Sequence, residues 1–445
     1  MATKVGVVSL GCSKNTVDTE NMLGLLAQDG YQVVSDETEA DILLLNTCSF
    51  IEDSQRESIR TILDLGTLNK KLIVTGCLAQ RAKHELVEEM PEITAAIGTS
   101  EFHKIVDVVK RVEAGERFTE VQDKAAAPVQ TLLPRLLTSI GPSSYLKVSE
   151  GCDHACSFCI IPLLRGRYAS RPMENILEEA RMLVRGGVKE LVLIAEDTTR
   201  YGHEMGGQFL LPRLLEQLNE IEDLTWIRVL YAYPNYMTND LLETMSRLDK
   251  VVPYLDMPLQ HTHPEMLKAM LRPRHEPVDQ LVARMRDKLP NLVLRTTFIT
   301  GFPGETEAHH EHMLEFVRTQ RLDRVGAFAY SPQEGTRGFK MEQEMGIPEE
   351  IKQARREAVM REQQAVTLSI HQSLVGQVIP MLVEGVDTAS GRLVGRTHRD
   401  APEIDGTTFA TTTFPAFAGD LVNVRITEAE PYDLHGEVVW DGVGQ

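Results

Sequence analysis

The chain has 445 residues, enough for about three domains of ordinary size. With 42% hydrophobic and 25% charged residues it reads as a soluble globular protein. Its longest apolar runs, such as 41–46, fall far short of the roughly 20 residues a membrane helix needs. A net charge of −19 argues against a general nucleic-acid binder, which carries a basic face.

From Val5 to about Gly115 short apolar runs alternate with amphipathic stretches. Strands are expected over 5–9, 31–34, 41–46, 72–75 and 95–97, and helices over 15–28, 51–65, 78–90 and 101–114. Such βα alternation predicts a parallel sheet covered by helices on both faces. A strand begins almost at once, leaving no room for a signal peptide, so a cytoplasmic protein with no membrane segment is expected. Cys12, Cys48 and Cys77 each follow the C-terminal end of one of these strands, the edge where open α/β sheets place ligands. Three cysteines on one rim are more economically a three-thiolate cluster site than a trio of reduced, partly buried thiols.

Residues 116–140 have weak periodicity and read as a linker between a first domain over 1–115 and a second over 141–372. At the start of that second domain, Cys152-Asp-His-Ala-Cys156-Ser-Phe-Cys159 puts three cysteines within eight residues, after an apolar-alternating run. Three thiolates on one tight loop can hold three irons of a four-iron cluster and leave the fourth open to a small ligand. A zinc knuckle using His154 and a metal-free set of buried cysteines are the competing readings; Cys156–Cys159 is a lone CxxC, without the second CxxC that zinc sites usually pair with it. All six cysteines of the chain fall in the two trios, and a reducing compartment suits thiolate ligands.

Further strands are expected over 146–149, 190–195, 226–230, 254–257, 293–299 and 325–329, with helices between them. Six βα units suggest a partial (β/α) barrel with the cysteine loop at its catalytic mouth. Arg228 and Arg295 fall inside these strands, where a buried guanidinium needs an anion, so a ligand carboxylate or ribose is expected beside them. A polar helix over 349–372 leads to residues 373–445, five short strands with Gly-rich turns that suit a small OB-like β-barrel.

The spacing Cys152–Cys156–Cys159, with an aromatic before the last cysteine, resembles the radical S-adenosylmethionine enzymes. The pattern Ser9-Leu-Gly-Cys12-Ser-Lys-Asn, with Asn46-Thr-Cys48 and Thr75-Gly-Cys77, resembles the methylthiotransferases within them. The C-terminal segment resembles a TRAM domain, which in that superfamily recognises the substrate macromolecule. The resemblance implies two 4Fe-4S clusters, each on three cysteines, and S-adenosylmethionine as radical source and methyl donor. It implies an adenine contact at Phe158, recognition of the ligand's amino group at Glu196-Asp197, and a pocket-shaping loop containing Gly301 and Gly304. For Asp197 a helix N-cap is an equal reading.

Four motifs point to the branch that modifies the β-carbon of an aspartate in small-subunit ribosomal protein S-twelve: the Cys12 motif, Leu230-Tyr-Ala-Tyr-Pro234, Met257-Pro-Leu-Gln-His261 and the run over 395–406. His261-Thr-His263 departs from that branch, where many relatives carry a small residue and an acid. An external electron donor such as a flavodoxin is implied. The alternative substrate is an isopentenylated adenosine of transfer RNA. Residues 373–445 hold eleven Asp/Glu against four arginines, which argues for a basic protein partner and against strong RNA binding. A non-catalytic iron–sulfur or zinc protein is the third reading.

Overall fold

A computed structural model describes residues 2–123, 132–138 and 141–439. The first unit runs β1 (Lys4–Ser9), α1 (Ser13–Gln28), β2 (Gln32–Val34), β3 (Ile42–Thr47), α2 (Glu52–Gly66), β4 (Lys71–Gly76), α3 (Cys77–Ala82), α4 (His84–Glu89), β5 (Ile93–Ile97), α5 (Ile105–Glu113) and β6 (Phe118–Glu120). Its strands form one parallel sheet ordered β2-β1-β3-β4-β5-β6. Every residue of β3 is buried, because helices cover both faces of a central parallel strand. Ile42 and Leu44 pack toward α1 and α5, whereas Leu43 and Leu45 pack toward α2 and α3.

Two local differences from expectation have simple causes. The helix expected over 78–90 breaks at Lys83, which adopts φ +52°. Strand β6 lies inside the stretch read as linker and pairs in parallel with β5, Ala95 opposite Phe118. Of that stretch, residues 124–131 and 139–140 lie outside the described residues. Pro134 crosses α1 at Gly24, where a Cβ would stand 2.4 Å from the Pro134 carbonyl oxygen.

The second unit comprises β7 (Ser143–Lys147), β8 (Ser149–Glu150), α6 (Ile161–Leu164), β9 (Ala169–Ser170), α7 (Met173–Arg185), β10 (Glu190–Ile194), α8 (Leu211–Asn219), β11 (Trp226–Val229), α9 (Asn239–Arg247) and β12 (Val251–Asp256). It continues through α10 (Pro264–Ala269), α11 (Val278–Lys288), β13 (Val293–Thr300), α12 (Glu307–Gln320), β14 (Arg324–Ala329), α13 (Arg337–Met345) and α14 (Glu349–Gln372). Six parallel strands, ordered β14-β13-β12-β11-β10-β7, make the expected partial barrel. Its outward side chains form the largest core, with the helices. The small pair β8–β9, Ser149 opposite Ser170, clasps the base of the cysteine loop. No described helix is long and apolar enough to cross a membrane.

The third unit is a closed barrel of β15 (Val378–Val386), β16 (Leu393–Thr397), β17 (Thr408–Thr411), β18 (Leu421–Ala429) and β19 (Leu434–Val438), in the order β15-β16-β17-β19-β18. Residues 440–445 lie outside the described residues. Its β16–β17 connection, within the run 395–406, closes the inner face of the open barrel. Leu382 and Ala401 pack there among Val192, Ile194, Trp226, Tyr254 and Val293. Arg396 pairs with Glu190 at 2.6 Å, Arg324 pairs with Asp400, and Tyr254 donates to Asp405 at 2.6 Å.

Candidate active site: two facing cysteine trios

Strands β1, β3 and β4 are neighbours in the first sheet, and each delivers one cysteine at its C-terminal end. Adjacent strands lie about 4.8 Å apart, so Cys12, Cys48 and Cys77 share one rim. Gly11, at φ +95°, lets the β1–α1 turn pass so close to Cys48 that a Cβ would stand 2.9 Å from the Cys48 Cβ. Gly76, at φ +91°, fills a slot in which a Cβ would stand 2.2 Å from the Asn46 side-chain oxygen. Only glycine lets Cys77 leave β4 directly into α3. Ser58 fixes Cys48 by donating its hydroxyl to the Cys48 carbonyl at 2.8 Å and accepting the Cys48 N–H at 3.1 Å.

Cys152, Cys156 and Cys159 lie on the loop clasped by β8 and β9. The Cys152 N–H donates to the Gly166 carbonyl at 3.1 Å, and the Cys159 N–H donates to the Cys156 carbonyl at 3.1 Å. Arg272, buried, donates to the Cys156 sulfur at 3.4 Å and to the Pro258 carbonyl at 2.8 Å. Ser157 anchors the loop on the Ala269 carbonyl at 2.7 Å. Phe158 packs against Met266, Met270, Phe302 and Tyr330.

None of the six cysteines is in a disulfide. Burial pushes the Cys77 and Cys159 thiols up to about 12, so a metal must displace their protons on binding. In neither trio do the three sulfurs lie within 4.8 Å of one another; among the described residues only His263, Glu265 and His309 meet that spacing. Two sulfurs on one zinc, each at about 2.3 Å, can be no more than roughly 4.6 Å apart. Neither trio is thus gathered around a single-ion position, and soft thiolates, one to an iron, are the ligands an iron–sulfur cluster takes. His154 spends its Nε2 on Asp197 at 2.7 Å and its ring lies stacked on Tyr233 at 3.9 Å.

The seam between the trios is polar and almost fully buried. Cys77 packs against Ile160 and Leu164, just after Cys159. Arg165 crosses the seam: it donates to Asn15 at 2.5 Å and Asp18 at 3.0 Å in α1, and to Glu150 at 2.7 Å in the barrel. Lys147 pairs with the same Asp18 and, at 2.6 Å, with Glu150. Against the effect of burial, Arg165 and Lys147 hold the Glu150 carboxyl down to about 2. Glu196 is the contrast. Burial and then the Glu150 charge push its carboxyl up to about 7, and neither of its oxygens has a hydrogen-bond partner. Its nearest cation is Arg165, with Nε 3.8 Å away.

Several residues expected to meet a ligand meet protein instead. Asp197 caps the short turn Thr198–Arg200, accepting from the Thr199 hydroxyl at 2.6 Å and the Arg200 N–H at 3.2 Å, and braces the cysteine loop through His154. Arg228 faces the barrel interior, but its anion is Glu190 at 2.8 Å, and it also donates to the His398 carbonyl at 2.8 Å. Arg295 pairs with Asp256 at 2.8 Å and faces Asp405 at 3.6 Å. Both arginines thus hold the C-terminal barrel against the central one. Gly301 makes its close approach to Lys352 of α14, and Gly304 approaches Met345 of α13. His261 is fully buried, with Nε2 3.6 Å from Glu305. Lys14, Glu150, Arg165, Tyr231 and Arg272 were not expected at the site. Only the proximity of Lys14 to Cys12 and of Arg165 to Cys159 could have signalled two of them.

Residues 4–98 match the family described as uncharacterized protein family UPF0004, residues 146–317 the radical SAM superfamily, and residues 375–439 the TRAM domain. Among solved structures, the fold is similar to the radical S-adenosylmethionine methyltransferase TsrM from Kitasatospora setae, at TM-score 0.56 and 12% identity, covering 77% of this chain and 78% of that one. The chain is 48% identical over 439 residues to the ribosomal protein uS12 methylthiotransferase RimO of Synechococcus sp. strain JA-3-3Ab, covering 98% of this chain and 94% of the relative. It is 46% identical over 438 residues to the protein of that name from Thermoanaerobacter sp. strain X514, covering 97% and 99%. An iron–sulfur cluster and S-adenosylmethionine come with membership of the radical SAM superfamily. With three matched regions in this order and full-length relatives of one name, the chain belongs to the RimO family of radical S-adenosylmethionine methylthiotransferases.

Proposed function

We propose that the protein adds a methylthio group to the β-carbon of an aspartate in ribosomal protein uS12, using two four-iron clusters, one on each cysteine trio. The observation that carries this reading is the pair of three-cysteine rims facing one buried seam. When loaded, the barrel trio supplies one-electron cleavage of S-adenosylmethionine, and the N-terminal trio supplies an open iron for sulfur.

The chain's own residues bind, orient and exclude water. Phe158 offers an aromatic face to the adenine, and Glu196, with both oxygens free, takes the ligand's ammonium. Asp197 holds the loop through His154, and Gly301 and Gly304 let their loop pack closely on Lys352 and Met345 behind it. The closed seam of Arg165, Asp18, Glu150 and Lys147 keeps bulk water from the reacting carbon.

The protein substrate is supported by the names of the relatives and by the charge of the C-terminal barrel. Arg396 and Arg399 are spent on Glu190 and Asp323 and half-buried Arg392 lies over the Phe409 ring, leaving Arg425 as the one exposed arginine of that barrel among the described residues. Glu403, Asp420, Glu428, Glu430 and Glu437 are exposed. Such a surface attracts a basic ribosomal protein and repels RNA phosphates. An external one-electron donor of flavodoxin type and a cytoplasmic setting complete the reading. The test is mass spectrometry of recombinant uS12 and of bulk transfer RNA, each incubated anaerobically with reconstituted protein, S-adenosylmethionine and reductant. A methylthio group on one uS12 aspartate, with unmodified transfer RNA, is expected. Methylthiolated adenosine with untouched uS12 would reverse the assignment.

A further inference from the structure

Three lysines of the described chain are buried: Lys14, Lys147 and Lys352. Lys147 holds Glu150 at 2.6 Å and Lys352 holds Glu342 at 2.6 Å. Lys14 is 7% exposed, yet no carboxylate among the described residues lies within ion-pairing distance of its ammonium. The ammonium instead lies over the Tyr231 ring, 3.5 Å from its centroid. Tyr231 ends the first turn after β11 in a left-handed conformation, φ +60°, and its hydroxyl is 3.4 Å from the Ser13 hydroxyl. A lysine taken out of water without an anion is costly, and a single ring face offsets only part of that cost.

The position of this cation is specific. Lys14 is two residues from Cys12 on α1, and its charge acts on Cys12, Glu196, Arg165 and Tyr231. The seam therefore holds a buried cation with no anion on the N-terminal side and a buried carboxylate with no donor on the barrel side. On the N-terminal side of the seam, Lys14 is the buried cation that no carboxylate of the described residues ion-pairs.

We propose that Lys14 is the subsite cation for the side-chain carboxylate of the substrate aspartate, and that this ion pair presents the adjacent β-carbon between the two trios. The inference rests on the aspartate reading above and deepens it. It makes Lys14 a specificity residue: a carboxylate forms a charge-assisted ion pair with the ammonium, whereas the amide of asparagine or a purine edge offers only a neutral acceptor.

The test compares wild type, Lys14→Met and Lys14→Arg, all reconstituted, on a uS12 peptide carrying the target aspartate and on the same peptide with asparagine there. Iron content and circular dichroism establish that each variant is folded and loaded. Methionine keeps the stem packed on Tyr231 and removes only the charge. Wild type is expected to prefer aspartate strongly. Lys14→Met should raise KM for the aspartate peptide by roughly tenfold to a hundredfold, the effect of losing one charge-assisted hydrogen bond, and should erase the preference over asparagine. Lys14→Arg should recover part of both. An unchanged KM and preference in Lys14→Met would overturn the inference, as would loss of S-adenosylmethionine cleavage without peptide, since Lys14 would then serve the cofactor. A wild-type protein that modifies neither peptide nor intact uS12 would overturn the aspartate reading itself.

Discussion

Arg165 shows how single residues tie the two trios into one site. Its guanidinium is 2% exposed and serves Asn15 and Asp18 from one domain and Glu150 from the other. Removing it leaves two buried carboxylates facing Lys147 alone, and breaking a buried ion pair from one side costs about 3–5 kcal/mol. Arg165→Met should therefore lower the urea midpoint of the loaded protein and release iron at lower denaturant than wild type. A midpoint unchanged from wild type would mean that the seam is not held by this network. Glu196 behaves oppositely. Its carboxyl is raised to about 7 from an ordinary 4.5, so the folded protein binds the extra proton and stability falls as pH rises through that window. Glu196→Gln should flatten that slope in urea midpoints measured between about 4.5 and 7. An equally steep slope in the variant would show that the carboxyl has a partner.

At the scale of elements, the β16–β17 connection of the C-terminal barrel completes the inner wall of the central one. Glu190 is the hinge of this contact, shared by Arg228 and Arg396 and held down to about 2 by them against the effect of burial. A depressed carboxyl contributes stability that is fully present above its unfolded value of 4.5 and is lost as pH falls toward 2. Wild type should lose stability steeply across that range, and Glu190→Gln should lose less while starting about 3–5 kcal/mol lower at neutral pH. Identical acid slopes for the two proteins would contradict this.

The same contact shows what sequence patterns carry and what they omit. Period-2 and period-3.6 patterns are local, so strands such as 41–46 and 190–195 were legible, as was the rise of three cysteines at three strand ends. The need of Arg228 and Arg295 for anions was legible too. Their partners were not: the anions Glu190 and Asp256 sit on neighbouring strands, 38 and 39 residues away in the chain, and the further contacts to His398 and Asp405 come from another domain. The polar residues Asp18 and Glu20 on α1 look like a solvated face but are buried against Arg165 and Arg135. Three-residue β6 carries too little pattern to stand out from a linker.

Across the whole molecule, the three domains divide the task. The C-terminal barrel offers an acidic surface, the central barrel holds one cysteine trio at its mouth, and the N-terminal sheet presents the second trio against it. The proposed reaction requires two clusters with separable roles, and iron content measured together with products on two triple variants tests it most directly. With Cys12, Cys48 and Cys77 all changed to Ala, the protein should keep about four irons, the complement of one cluster, and still form 5′-deoxyadenosine. It should transfer no methylthio group. With Cys152, Cys156 and Cys159 changed instead, about four irons should again remain, and no 5′-deoxyadenosine should form. Methylthiolated product from the first variant, or an iron-free second variant, would contradict the account.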